Sequence, residues 1–382
     1  MTASAVQRSA LDDARVAIVH DALVVKGGAE RVVLALSELF PGAPIYTSVY
    51  SPEATFQDFR TRDVRPSFLQ RYCQRPRLFR LAFPLFPLAF ESFDLSAFDI
   101  VISCCAHWAK GVLPPPGALH LSYCHTPSRL AWRFHESLKE ERLGRLGRAL
   151  VGAYASYARL WDEATSRRVD HFVAGSRNAA QRIRRHYRRE ATVLESPIDV
   201  SRFTVGRGQG DYFLIVARLN GYKRVDLAVE TFSRLGWPLV VVGDGPMRRH
   251  LERMAGPTVS FVGVVPEEQL AGYYAGCRAL IVACEEDYGL TPLEAQASGR
   301  PVIAYGRGGV RETVLPGRTG LFFSEQSPES LHEALLAFLR MEFDPDVLRA
   351  HAARFDVSRF KARFLEILDA AYGVHLTEQA RT

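Results

Sequence analysis

The sequence predicts an α/β protein built from two doubly wound domains in tandem, on three observations. Its 382 residues exceed what one ordinary core accommodates, since domains run to roughly 100–200 residues. Short apolar runs of strand length alternate with helical patterns along nearly the whole chain. The alternation stops once, at the polar, glycine-containing GRGQG of 206–210, and then begins again.

In chain order, RVAIVH at 15–20 reads as a buried strand, 22–28 as a loop and AERVVLALSEL at 29–39 as an amphipathic helix. Further strands are expected at 99–104, 119–123 and 171–174, separated by helical patterns that include 143–168 and 178–188. TVLESPIDVSRF at 192–203 closes this series, which places the first domain at 14–203. The second domain, 211–352, opens with a strand at 212–217 and a helix at 224–235. Strands follow at 238–242, 259–262, 279–283, 301–304 and 320–323. A last helical segment covers 356–373, and periodicity leaves open whether it continues the second domain or crosses back. Disorder is expected only before about residue 13 and after about residue 373. Ligands of such sheets sit beyond the C-terminal strand ends, so the cleft between two facing domains is the default site.

Composition narrows the function. Lys and Arg number 48 against 42 Asp and Glu, a net charge of +6. That excess is too modest to imply nucleic-acid binding, and it fits an anionic ligand or an anionic membrane surface. The cysteines, at 73, 104, 105, 124, 277 and 284, form no C-x-x-C pair, and they read as small buried side chains in a reducing compartment. The N-terminus lacks a signal-type apolar core, which points to a cytoplasmic protein. The most apolar stretch, 81–90, is broken by Pro84 and Pro87 and is shorter than the roughly 18 residues a spanning helix needs.

The residues able to carry chemistry cluster after strands. Gly27, Gly28, Ala29 and Glu30 lie where the first strand gives way to its helix. Glycine there admits an anionic group to free helix amides, although a purely structural turn explains the pair as well. The G-x-G-x-x-G and G-x-x-x-x-G-K-[ST] fingerprints are absent, against a nicotinamide dehydrogenase or a nucleoside triphosphatase. Arg218, Lys223 and Arg224 follow the strand YFLIVA. Cations there neutralise a diphosphate, although Lys223 and Arg224 also suit a solvated helix start. In ACEEDYGLTPLEAQASG the helix is expected to start near Thr291 or Pro292. Glu286 then lies in the preceding loop and Glu294 in the first turn, where it can accept two ribose hydroxyls or simply complement the helix dipole. Tyr288, Gly289 and Leu290 lie between them, the last two with amides that can aim at phosphate. His125, in LSYCHTPSR, can donate to a sugar or stabilise separating charge, and no partner stands at metal-site spacing beside it and Cys124.

Two further stretches read either way. Residues 71–93 interleave four arginines with aromatics, as in a surface that meets anionic lipid or in a core segment with a basic solvated face. Asp344 and Asp346 form the chain's one D-x-D and read as a helix start rather than a metal motif.

These motifs resemble the retaining glycosyltransferases of family 4, from GGAER to the final helix. Glu286 to Glu294, as EDYGLTPLE, is similar to the family's E-x7-E pattern, and ARLNGYKRVD to its phosphate-contacting Arg and Lys. GRGGVRETV, with Gly308, Gly309 and Glu312, is similar to a further recurring segment. The resemblance implies a GT-B fold, two facing Rossmann-like domains whose last helix crosses back to the first. The first domain would bind the acceptor and the second the nucleotide sugar. It makes Glu294 the ribose ligand, Arg218 and Lys223 the diphosphate clamp, Glu286 a contact to donor hydroxyls and His125 a group near the donor sugar. Gly28 would approach the phosphate, with Glu30 a weaker acceptor-side candidate. No metal or other cofactor is implied.

YCHTPSRLAW and TSVYSP look most like bacterial mannosyltransferases of lipopolysaccharide and exopolysaccharide assembly. That implies GDP-mannose as donor and a polyprenyl-diphosphate-linked or other glycan acceptor, used at the inner face of the cytoplasmic membrane. Alternatives are a UDP- or dTDP-sugar-dependent transferase of glucose, N-acetylglucosamine, galactose or rhamnose, a GT-B sugar-nucleotide epimerase, and a non-catalytic glycan-binding partner.

Overall fold

The structure, a computed structural model, describes residues 11, 13–73, 82–132, 145–206, 208 and 210–381. The chain divides into two compact units. One comprises the chain up to Glu195 together with residues from Phe360 onward, and the other runs from Ser196 to Arg359.

The first unit holds a seven-stranded, all-parallel sheet in the order β3-β2-β1-β4-β5-β6-β7. β1 (Val16–His20), β4 (Ile100–Cys105) and β5 (Leu119–Cys124) are buried at every position, as an apolar run covered on both faces requires. β6 is His171–Ala174 and β7 Thr192–Val193. β2 (Ile45–Thr47) and β3 (Val64–Pro66) had no counterpart in the sequence reading, because three-residue strands leave almost no periodicity. β1 pairs with β2 on one side and with β4 on the other, so the strand order reverses between β1 and β4.

The second unit repeats the plan with six parallel strands in the order β10-β9-β8-β11-β12-β13. They are β8 (Tyr212–Val216), β9 (Leu239–Val242), β10 (Val259–Gly263), β11 (Cys277–Val282), β12 (Val302–Tyr305) and β13 (Gly320–Phe323). Here the order reverses between β8 and β11. In open α/β sheets ligands bind at the C-terminal strand ends beside such a reversal.

The final helix, Val357–Gln379, has most of its length in the first unit, where Phe360, Phe364, Ile367, Leu368 and Tyr372 are buried. It runs through Gly373 beyond the end expected from sequence, and Gln379 Nε2 donates to the carbonyl of Gly117 at 2.8 Å.

GRGQG is no free linker. The division between units falls at Glu195, and a Cβ on Gly206 would lie 1.9 Å from the carbonyl oxygen of Ala275 in the second unit. Arg300 Nη1 donates to the carbonyl of Gly208 at 2.7 Å. Backbone apposition, which local composition does not report, ties these residues to the second unit.

All six cysteines are buried thiols outside any disulfide. Asp344 caps the helix Pro345–Ala352, its carboxylate accepting from Asp346 N at 2.8 Å. Within 71–93, residues 74–81, which carry three of the four arginines, lie outside the described residues. Of the rest, Phe86, Ala89 and Phe90 are buried in the first core, whereas Leu85 and Leu88 are exposed. Among the described residues no helix is long and apolar enough to cross a membrane.

Candidate functional site

In the second unit, polar groups gather at the reversal between β8 and β11. β8 delivers Arg218, which is exposed, and then a short turn, Gly221–Lys223. β11 delivers Cys284 and Glu286. Lys223 Nζ donates to Glu286 Oε1 at 2.6 Å, and Cys284 Sγ approaches the same oxygen at 3.2 Å. The Lys223 and Glu286 side chains keep 16% and 17% of their surface. Burial opposes charge on Lys223, but the Glu286 carboxylate, with Cys284 and Tyr222 behind it, outweighs burial and holds the ammonium above the ordinary lysine range. A small crevice at this point is lined by Ala217, Lys223, Cys284, Glu286 and Thr291.

The adjoining helix spans Leu290–Ala297 with Gly289 at its N-cap, so it starts a residue or two earlier than the sequence suggested. Glu294 is therefore its fifth residue, outside the first turn, and the helix dipole contributes little there. A tertiary contact holds Glu294 instead. The hydroxyl of Tyr274, itself completely buried, donates to Glu294 Oε2 at 2.7 Å. Tyr288, 9% exposed, precedes Gly289 in the loop.

The GRGGV segment supports this loop from below. Gly309 N donates to the carbonyl of Glu286 at 2.7 Å. Gly308 has φ 75°, and a Cβ on it would stand 2.2 Å from that same carbonyl oxygen. Only glycine lets the two loops approach so closely. Glu312 follows in the short helix Val310–Thr313.

In the first unit the reversal between β1 and β4 gathers a different set. Asp21, just past β1, accepts four backbone N–H groups through both carboxylate oxygens, from Ala106, His107, Trp108 and Ala109 at 2.6–2.9 Å. Burial opposes its charge, but His107, His20 and those amides prevail and hold the carboxyl below the ordinary range. Glu30, in the first turn of the helix Gly28–Leu39, is 6% exposed and lies 3.6 Å from His20 Nε2. Burial disfavours protonation of His20, yet Glu30 more than offsets it and raises the imidazole above the ordinary histidine range. Gly28 is the first helical residue after the N-cap Gly27. His125 stands just beyond β5, half-buried, with the Tyr123 ring 5.1 Å away and Cys104 Sγ 3.1 Å from its Nε2.

The structure thus brings Lys223 to Glu286 at one strand-order reversal and Gly28, Glu30 and His125 to the elements around the other. Arg224, grouped with Lys223 from sequence, pairs instead with Asp226 at 3.2 Å. Sequence reasoning missed Tyr274, Asp21, His20 and the polar role of Cys104 and Cys284. Cys284 lay within a motif already singled out, whereas nothing in the sequence marks Tyr274. Among the described residues no group of three or more His, Cys, Asp or Glu side chains could hold a metal ion.

Two parallel-sheet units, each with its polar groups at a strand-order reversal and the last helix returned to the first unit, define the GT-B class of fold. Residues 26–202 match the family description Glycosyltransferase Family 4, and residues 210–341 match Glycosyl transferases group 1. The chain belongs to this glycosyltransferase family. It is 28% identical over 249 residues to the D-inositol 3-phosphate glycosyltransferase of Geodermatophilus obscurus. That match takes in 56% of this chain and only about half, 54%, of the relative. The human alpha-1,3/1,6-mannosyltransferase ALG2 is 26% identical, over 87% of this chain and 89% of its own. Among solved structures, sucrose-phosphate synthase from Thermosynechococcus elongatus superposes with TM-score 0.74 at 18% identity, over 94% of this chain and all of its own. Anabaena HepE in complex with UDP does so with TM-score 0.67 at 14% identity, over 93% of this chain and all of its own.

Proposed function

We propose that this protein is a retaining glycosyltransferase that takes its sugar from a nucleoside diphosphate, with a uridine diphosphate sugar as the first donor to test. The observation that carries the reading is the Lys223–Glu286 pair at the β8/β11 reversal, next to the N-terminus of the Glu294 helix. Lys223, Arg218 and the amides of Gly289 and Leu290 offer positive potential for a diphosphate that gains charge as its bond to the sugar breaks. Glu294, oriented by Tyr274, accepts the ribose hydroxyls, and Glu286 holds donor hydroxyls. The first unit supplies His125 to the sugar and binds the acceptor.

In this scheme the diphosphate departs from the anomeric carbon and leaves an oxocarbenium-like sugar. The acceptor oxygen bonds from the face just vacated, and its proton passes to the departing phosphate. Configuration is retained without a covalent enzyme intermediate.

A uridine donor is supported by the Anabaena neighbour, which shares the fold and was solved with UDP. A second reading, GDP-mannose with a polyprenyl-diphosphate-linked or other glycan acceptor, is favoured by the near-full-length likeness to a mannosyltransferase. Contact with an anionic membrane surface through 71–93 belongs to that reading. Thermal-shift binding and slow donor hydrolysis, measured across UDP-glucose, UDP-N-acetylglucosamine, UDP-galactose, dTDP-rhamnose and GDP-mannose, separate the two. Stabilisation by one UDP-sugar is expected. A response to GDP-mannose alone selects the second reading, an epimerised product selects an isomerase, and silence toward every donor overturns the enzyme.

A further inference from the structure

The helix Arg145–Thr165 carries apolar side chains on two faces. One faces the first core, where Ala155 and Ala158 are completely buried. A turn further on, Asp162 pairs with Lys110 and accepts from Trp132 Nε1 at 2.7 Å and from the Tyr187 hydroxyl at 2.8 Å, which anchors the helix. The other face is left in water. Leu150, Ala153, Tyr157 and Leu160 recur there at the spacing of one helix face, and Leu150 and Leu160 keep 64% and 71% of their surface. An apolar stripe held in water on an anchored helix is the mark of an interaction surface. The patch continues on a neighbouring element. The Tyr154 hydroxyl donates to the carbonyl of Phe83 at 2.8 Å, and Leu85 and Leu88, just after Phe83, are exposed. Charge in these segments has one sign. No Asp or Glu stands in 64–90 or in 145–161, stretches that hold eight arginines, and Arg148 is exposed beside the stripe.

We propose that the outer face of Arg145–Thr165, continued by Leu85 and Leu88, docks on an anionic lipid bilayer. The apolar side chains enter the boundary between headgroups and acyl chains, and the arginines around them meet lipid phosphates. The helix lies on the bilayer rather than across it, since among the described residues no helix is long and apolar enough to cross. A second copy of the chain fits this face less well, because a two-fold contact would set the same arginines against each other. The contact thus centres on Arg145–Thr165 rather than on 71–93 alone, and it is independent of which nucleotide sugar is the donor.

The test is co-sedimentation of the intact chain with vesicles of phosphatidylcholine alone and of phosphatidylcholine mixed with phosphatidylglycerol. Binding is expected to the mixed vesicles, much weaker to phosphatidylcholine, and weakened by salt. Leu150→Gln combined with Leu160→Gln should lower affinity for the mixed vesicles about tenfold or more and leave the thermal midpoint unchanged, since both side chains are exposed. Leu336→Gln, at an exposed leucine of the second unit, should bind as wild type. Indifference of the wild-type chain to the mixed vesicles, or binding that survives the double substitution, overturns the proposal. So does a dimer in solution that the double substitution disperses, which would give the face to a second copy. Vesicle binding needs no turnover. Binding by a chain that transfers no sugar would sink the functional reading alone, and transfer to a soluble acceptor by a chain that ignores vesicles would sink the lipid surface alone.

Discussion

The two strand-order reversals hold similar kinds of residue and use them differently. At β1/β4 the charged groups are almost sealed, with Asp21 9%, Glu30 6% and His20 2% exposed, and Asp21 is committed to four amides of its own chain. At β8/β11 the Lys223 and Glu286 side chains keep 16% and 17% of their surface and face a crevice. The same topology thus yields a structural clamp in one unit and an ion pair lining a crevice in the other. Whether the carboxylate meets its own backbone or another side chain near solvent makes the difference.

The sharpest way to break this contrast is Glu286→Gln. If Glu286 faces ligand, turnover should fall by about a hundredfold or more while the thermal midpoint stays near wild type. A fully active variant would remove Glu286 from the site. The converse substitution is Asp21→Asn, which leaves amides of residues 106–109 facing an NH2 group. It should destabilise the first unit by about 3 kcal/mol in urea unfolding and leave the second unit's transition in place. Equal loss in both units would contradict the division drawn here.

Acid probes both units together. Burial, first among the causes, lowers His120 to about 4 in the first unit and His351 to about 4 in the second. Their folded values lie below the unfolded value of about 6.5, so the unfolded chain takes up protons first as pH falls. The stability is whole above about pH 6.5 and is lost progressively toward pH 4, by up to about 3 kcal/mol for each histidine. Calorimetry from pH 7 to 4.5 should show both transitions descending, and His351→Gln should flatten only that of the second unit. The smallest effect is expected from Tyr274→Phe, which removes the hydroxyl that orients Glu294. Donor affinity should drop several-fold, about 1 kcal/mol, and kcat should change little. A variant with wild-type donor affinity would show that the Tyr274 bond is merely structural.

The sequence disclosed what short-range pattern encodes. Buried strands such as β1, β4 and β8 are continuous apolar runs, so they were legible together with the restart that makes two domains. Arg218, Lys223, Glu286 and Glu294 stood out because they follow such runs closely, in motifs similar to a known family. β2 and β3 were not legible, being three-residue strands whose stability comes from neighbouring strands. The start of the Glu294 helix was misjudged because Thr291-Pro292 imitates a helix start, whereas the chain turns at Gly289.

What the amino-acid order determined by itself was the α/β class, the longer strands, and the presence of cations and carboxylates just after them. That follows from apolar periodicity, which acts over a few residues. Only the tertiary structure decided which polar groups meet. Tyr274 reaches Glu294 across 20 residues, Cys104 reaches His125 across 21, and Lys223 reaches Glu286 across 63. The Cys104 and Lys223 pairs exist because paired parallel strands bring their C-terminal ends together, and Tyr274 meets Glu294 because their helices pack against each other; burial there favours a partner for each polar atom.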